Sequence, residues 1–198
     1  MDFSPSPSRV PPGYPRQYER RLRLRDGRTV AIRPLIPADA TLLAEAIATA
    51  DPDTLRRRFL GGAPHVNPAL LARLTTLDYA RRFALAAGDE RTGRGVAIAR
   101  YEAIGDGVAD VAIVVDPAWR RVGLATALIE LLAQAALEHD IEEFSACYLA
   151  ENRPVVALLA LTGGTGKQLI HNGIAEVIVG LDRARVDAAV RGLEPAAV

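Results

Sequence analysis

The chain has 198 residues, 49% of them hydrophobic, and its 24 basic and 24 acidic side chains cancel. That suits one core-forming domain with an extra terminal element, and balanced charge leaves no footprint for nucleic acid or an anionic membrane. The single cysteine, Cys147, excludes an intramolecular disulfide and a thiolate metal site. His65, His139 and His171 have no ligand spacing, so no metal is expected. MDFSPSPSRVPPGYP lacks the basic-then-apolar order of a secretory signal and no apolar run is long enough to span a bilayer, so a cytoplasmic protein is expected.

Residues 1–18, rich in Pro and Ser, are expected to be a disordered or loosely docked arm, leaving 19–198 as a single domain. RRLRLRDGRTVAIRPL reads as two alternating runs around Asp26-Gly27, a pair suited to a type I′ hairpin. Pro37 opens a helix with Asp39 in its first turn. Asp51 caps a second helix and Asn67 a third. Arg56, Arg57 and Arg58 in the second read as a solvated face, with contact to an acidic group as the alternative. Phe83–Ala87, Val96–Ala103 and Ala109–Val115 read as strands of a meander. A helix over Leu124–His139 follows, then a strand Phe144–Leu149 and a helix Arg153–Thr162. Two closing strands turn at Asn172-Gly173 before a short tail helix. This order suits an α+β fold with a mixed, mostly antiparallel sheet flanked by helices.

Val111 to His139 carries the strongest local signal. An apolar strand runs through a basic, glycine-containing turn into a long helix. The free N–H groups of such a helix start, with its dipole, favour an anion such as phosphate. Gly123 permits close backbone approach, Ala125 is small, and Thr126 offers a hydroxyl.

The spacing Arg-x-x-Gly-x-Ala at Arg120–Ala125, placed between that strand and that helix, resembles the acyl-CoA-binding signature of the GNAT superfamily of N-acyltransferases. Val115-Asp116-Pro117 and the element order from about residue 20 to 181 are similar to it too. The resemblance implies that acetyl-CoA is the acyl donor. Its pyrophosphate would lie against the backbone of Arg120, Arg121, Val122, Gly123, Leu124, Ala125 and Thr126. Its pantetheine arm would pair with the backbone of Ile113 and Val115 between two splayed strands, and Asn152 would contact that arm or cap its own helix. LRDGRTVAIRPLIPADA, LRRRF, LDYARRFAL and ADVAIVV are also similar to bacterial protein lysine acetyltransferases of the kind that silence acetyl-CoA synthetase.

The resemblance implies acetyl transfer to an amine, with a lysine-bearing protein as the favoured acceptor. The alternatives are a small amine or a non-catalytic acyl-CoA-binding module. In those lysine acetyltransferases a glutamate on the strand before the motif is the general base. Here the matching residue is Asp110, about 1.5 Å shorter in reach. Glu102 on the neighbouring strand is the second candidate. A Tyr that many GNAT enzymes use to protonate the leaving thiolate, seven residues after the Asn, corresponds to Leu159, which cannot donate. Cys147 reads as a small core residue, and Tyr148 could reach the site but has no motif behind it. The usual Gly-Phe is replaced by Thr162-Gly163-Gly164-Thr165-Gly166-Lys167. This fails the phosphate-loop pattern at both ends and reads as a flexible glycine turn.

Overall fold

The computed structural model describes residues 3, 10–62, 64–164, 166, 168–193 and 195–196. Strands β1 (Arg20–Arg23) and β2 (Thr29–Pro34) form a hairpin. A short 3₁₀ turn at Pro37–Asp39 leads into α1 (Ala40–Thr49), α2 (Pro52–Phe59) and α3 (Pro68–Thr75). Then come the meander β3 (Arg82–Asp89), β4 (Gly95–Ala103) and β5 (Val108–Val115), helix α4 (Leu124–Leu137) and strand β6 (Glu143–Leu149). Helix α5 (Arg153–Leu159), β7 (Gln168–His171), β8 (Ile174–Gly180) and α6 (Arg183–Arg191) close the chain. The eight strands lie in the order β1-β2-β3-β4-β5-β6-β8-β7, and β5–β6 is the parallel pair in an otherwise antiparallel sheet. The architecture is the α+β one that the element order implies.

Alternation along each strand divides the sheet into two faces. Val30, Ile32, Phe83, Leu85, Tyr101, Phe144 and Val177 point to one face and are almost fully buried. Helix α4 lies on that face. Eleven of its fourteen residues are buried, because the sheet covers one side of it while α5 and α6 cover another. On the other face, Ala84, Ala86 and Leu35 form a smaller apolar cluster with Phe3. Helix α2 crosses β5 and β6 on this side.

Three local features depart from the sequence reading. In the first hairpin Gly27 has φ +86 but Asp26 is not left-handed, so the turn is not type I′, which needs both. The chain instead closes a wider loop, with Leu24 N–H donating to Arg28 O at 2.8 Å and the Asp26 carboxylate accepting from Arg28. At the second hairpin both Asn172 (φ 48) and Gly173 (φ 77) are left-handed, as type I′ requires. In the glycine turn after α5, read as flexible from its sequence, the described glycine Gly164 is closely packed: a Cβ there would lie 2.9 Å from Gly180 N. Thr165 and Lys167 of that turn lie outside the described residues. Of the arm, Tyr18 is buried against Phe83 and its hydroxyl donates to Glu138 at 2.5 Å.

Candidate active site

The parallel pairing of β5 with β6 is short. It joins Val108 to Glu143, Ala109 to Phe144 and Asp110 to Ser145, then stops, although β5 runs on to Val115 and β6 to Leu149. Each strand keeps its antiparallel partner, β4 and β8 respectively, so the two part like a wedge. Asp116 N–H donates to Val96 O on β4 at 2.9 Å. Backbone groups alternate sides along a strand, so those of Val115 and Ile113 turn to the open side of β5. A strand edge left open here can pair with a ligand's amide groups.

At the wide end of the wedge the chain turns into α4. Asp116 caps the turn through Ala118 N–H at 2.9 Å and is held by Arg94, so it is a turn residue. Arg121 (φ 63) and Gly123 (φ 92) are both left-handed. Such a run of backbone turns successive N–H groups inward and makes an anion-binding concavity, and a non-glycine residue held there signals function. The N–H groups of Gly123, Leu124, Ala125 and Thr126 have no acceptor among the described residues. The side chain of Leu124 is buried in the core, so its part in the cradle is its backbone. Arg25, which the sequence reading passes over, donates its N–H to Val122 O at 3.1 Å and lays its side chain 3.6 Å from where a Gly123 Cβ would stand.

Arg120 spans the mouth of the wedge. Its Nε donates to Val115 O at 3.1 Å and its Nη2 to Thr54 Oγ1 on α2 at 2.7 Å. Asn152 occupies the N-cap position of α5, but its side chain makes no capping hydrogen bond and has no partner among the described residues, which leaves it available to a ligand. Open strand edge, N–H cradle and free Asn fit the phosphate and amide groups of an acyl-CoA.

On the face away from α4, the register sets Asp110 beside Glu102 on β4 and Ser145 on β6. Cys147 lies one step further along β6, opposite Glu176 on β8. Cys147 is exposed, so it is not the small core residue expected. The alternation Phe144, Ala146, Tyr148 takes the buried face and sends Cys147 outward. Glu102 is engaged by Arg73 at 3.2 Å and Arg82 at 3.9 Å. Asp110 makes no hydrogen bond among the described residues and keeps solvent contact at its surface. Helix α2 packs on β5 beside it, and partial desolvation pushes its carboxyl above the ordinary value, with the Arg58 charge opposing and Glu102 reinforcing.

The three clustered arginines of α2 diverge. Arg56 pairs with Glu151 at 2.8 Å and Arg57 with Asp53 at 2.7 Å, both on the surface. Arg58 turns toward Asp110, and burial lowers its pKa. Arg100 joins it from β4, pulled down to about 10 by burial and by the Arg58 charge, and so still protonated at neutral pH. Arg58 lies in the LRRRF segment, and its approach to Asp110 is the contact with an acidic group that the sequence reading kept as the alternative for this cluster. Arg100 and Glu176 belong to no motif; strand parity, which puts Arg100 on the face of Glu102, is the signal that could have found Arg100. Among the described residues no group of His, Cys, Asp and Glu could hold a metal ion.

A family model described as the acetyltransferase (GNAT) family matches residues 45–163. The chain is similar to Acetyltransferase PA5475 of Pseudomonas aeruginosa, 31% identical over 148 residues, which is 73% of this chain and 80% of that protein. Its fold is similar to the GNAT domain of S. lividans PAT, with a TM-score of 0.76, 30% identity, and coverage of 85% of this chain and 99% of that one. At the level of fold alone it matches a phosphinothricin acetyltransferase from Sinorhizobium meliloti in complex with acetyl-CoA. That match has a TM-score of 0.57 and 16% identity over 77% of this chain and 88% of the other. The chain belongs to the GNAT family of acetyltransferases, acyl-transfer enzymes that use acetyl-CoA.

Proposed function

We propose that the chain is an N-acetyltransferase whose acceptor is a protein lysine. The observation that carries this reading is the position of Asp110. It is the last β5 residue paired with β6, at the apex of the wedge, on the face away from the α4 cradle. Acetyl-CoA supplies an activated acetyl thioester. An amine reaching it from the other face would meet Asp110 first.

A lysine amine is mostly protonated at neutral pH and must lose a proton to attack. The Asp110 carboxylate takes that proton, through a water where its shorter reach requires one. Burial raises its proton affinity above that of an ordinary aspartate, and the Arg58 charge opposes that shift. Backbone N–H groups on the open edge of β5 are the donors available to polarise the thioester carbonyl. Glu176 adds negative charge without an ion-pair partner among the described residues. Beside it the β7–β8 hairpin is an open apolar shelf, with Leu169 71% and Ile178 44% exposed. An open shelf suits a polypeptide segment bearing lysine better than a small amine, which needs closed walls.

Incubation with acetyl-CoA and a panel of lysine-bearing proteins and small amines tests the reading. Acetylation of protein lysine is the expected result. Turnover on small amines alone, or none on any protein, would overturn it. The buried Leu159, which cannot donate a proton, favours one rival, an acyl-CoA-binding module without turnover. Calorimetric binding of acetyl-CoA with no thioester loss under any acceptor would establish that rival.

A further inference from the structure

The reaction needs a proton at sulphur as the thioester breaks, and Leu159 supplies none. Tyr148 belongs to the same core cluster as Leu159. Three residues on from the Asp110–Ser145 pair, Ile113 on β5 and Tyr148 on β6 stand level across the wedge. By strand parity Tyr148 points to the α4 face with Phe144 and Ala146, the side on which the helix start and its N–H cradle lie. The residue is 2% exposed, packed in the main core cluster with Leu159, and its hydroxyl has no hydrogen-bond partner among the described residues. Buried hydroxyls are nearly always paired, because an unpaired one loses its water and gains nothing. An orphan on a strand that borders the open wedge is therefore a candidate to take a hydrogen bond to a ligand atom.

We propose that the Tyr148 hydroxyl is the donor to the thioester sulphur, standing in for the absent residue at Leu159. This rests on the acetyl-CoA reading of the wedge. Asp110 passes the ammonium proton on to solvent and is again a carboxylate; the neutral amine nitrogen then forms its bond to the carbonyl carbon and gives its second proton to Asp110. As the carbon–sulphur bond breaks, its electron pair goes to sulphur and the Tyr148 proton follows. The tyrosinate regains a proton from solvent, Asp110 releases one, and the products are amide and free thiol. Burial pushes the Tyr148 ionisation above that of an ordinary phenol, so the proton is in place at neutral pH.

The test compares wild type with Tyr148→Phe, which keeps the ring, using CoA and its dethio analogue as probes without acceptor. The variant without ligand should unfold at the same temperature as wild type or higher, since the deleted hydroxyl is unpaired. Its CoA affinity should fall about three- to tenfold, the size of one hydrogen bond, while affinity for dethio-CoA stays put. With an acceptor in hand, kcat should fall about a hundredfold. An equal loss for both probes, no loss for either, or a lowered unfolding temperature would each overturn the proposal. If the variant does not fold, ring-labelled tyrosine NMR of wild type decides. With five tyrosines, one phenol signal should move with CoA and not with dethio-CoA, and a spectrum blind to the sulphur refutes the contact. Wild type that binds neither probe would sink the acetyl-CoA reading itself, a result distinct from the others.

Discussion

The two sides of the β5–β6 wedge are built by different means. On the α4 side the binding surface is backbone: the left-handed loop at Arg121 and Gly123, the free N–H groups opening α4, and the unpaired edge of β5. On the other side it is side chains from four separate elements, Arg58 of α2, Arg100 and Glu102 of β4, Asp110 of β5 and Glu176 of β8. Backbone recognition needs a fixed local spacing and little else. Side-chain chemistry needs distant parts of the chain to meet. The first is therefore a contiguous stretch and the second is a constellation, and the two should fail differently when mutated.

The largest effect is expected at the cradle. Gly123→Glu forces a left-handed backbone on a side chain and sets a carboxylate where phosphate would sit. Acetyl-CoA binding by calorimetry should vanish, and unchanged affinity would refute the cradle. Across the wedge, Asp110→Asn should lower kcat by about 100-fold or more while leaving acetyl-CoA affinity intact. Full activity would remove Asp110 as the base. In wild type the acid limb of kcat/KM should lie above the ordinary aspartate range, because burial raises this carboxyl.

The same shift has a stability consequence. With its folded value raised, Asp110 favours folding at low pH and loses that contribution as pH rises through the folded value. Asp110→Asn should therefore raise the unfolding temperature at neutral pH and lose the advantage below the usual carboxylate range. Arg58→Gln removes the charge that opposes burial at Asp110, so the acid limb should move to higher pH. A limb that stays fixed would mean Arg58 does not face the base in solution. The smallest effect belongs to a change remote from both sides. Asn67 accepts from Leu70 N–H at 2.9 Å at the start of α3. Asn67→Ala should cost about 1 kcal/mol in urea unfolding and leave CoA affinity unmoved.

The division between backbone and side-chain recognition also governs what the sequence discloses. The element order, the caps at Asp51 and Asn67, and the Arg120–Thr126 loop are all local, and each is legible from residue type and spacing. Asn172-Gly173 forms the turn its residues favour. Asp26-Gly27 does not, because the Asp26 side chain instead binds Arg28 within a wider loop. Cys147 shows the limit of reasoning from residue type, since small and apolar suggests the core while the parity of its strand sends it outward. Arg25 and Glu176 reach the site only through a hairpin and a strand pairing far away in sequence, a kind of contact that no short window contains.

Arg120 now spans from Val115 O to Thr54 on α2, across the mouth where a pantetheine amide would pair. A ligand that takes the Val115 carbonyl must first evict a guanidinium, so entry is an exchange of partners with little net gain at that position. The evicted charge lies at the head of the phosphate loop. One side chain would then serve as a clasp when the groove is empty and as a counter-ion when it is filled, tying the grip on α2 to the occupancy of the strand edge.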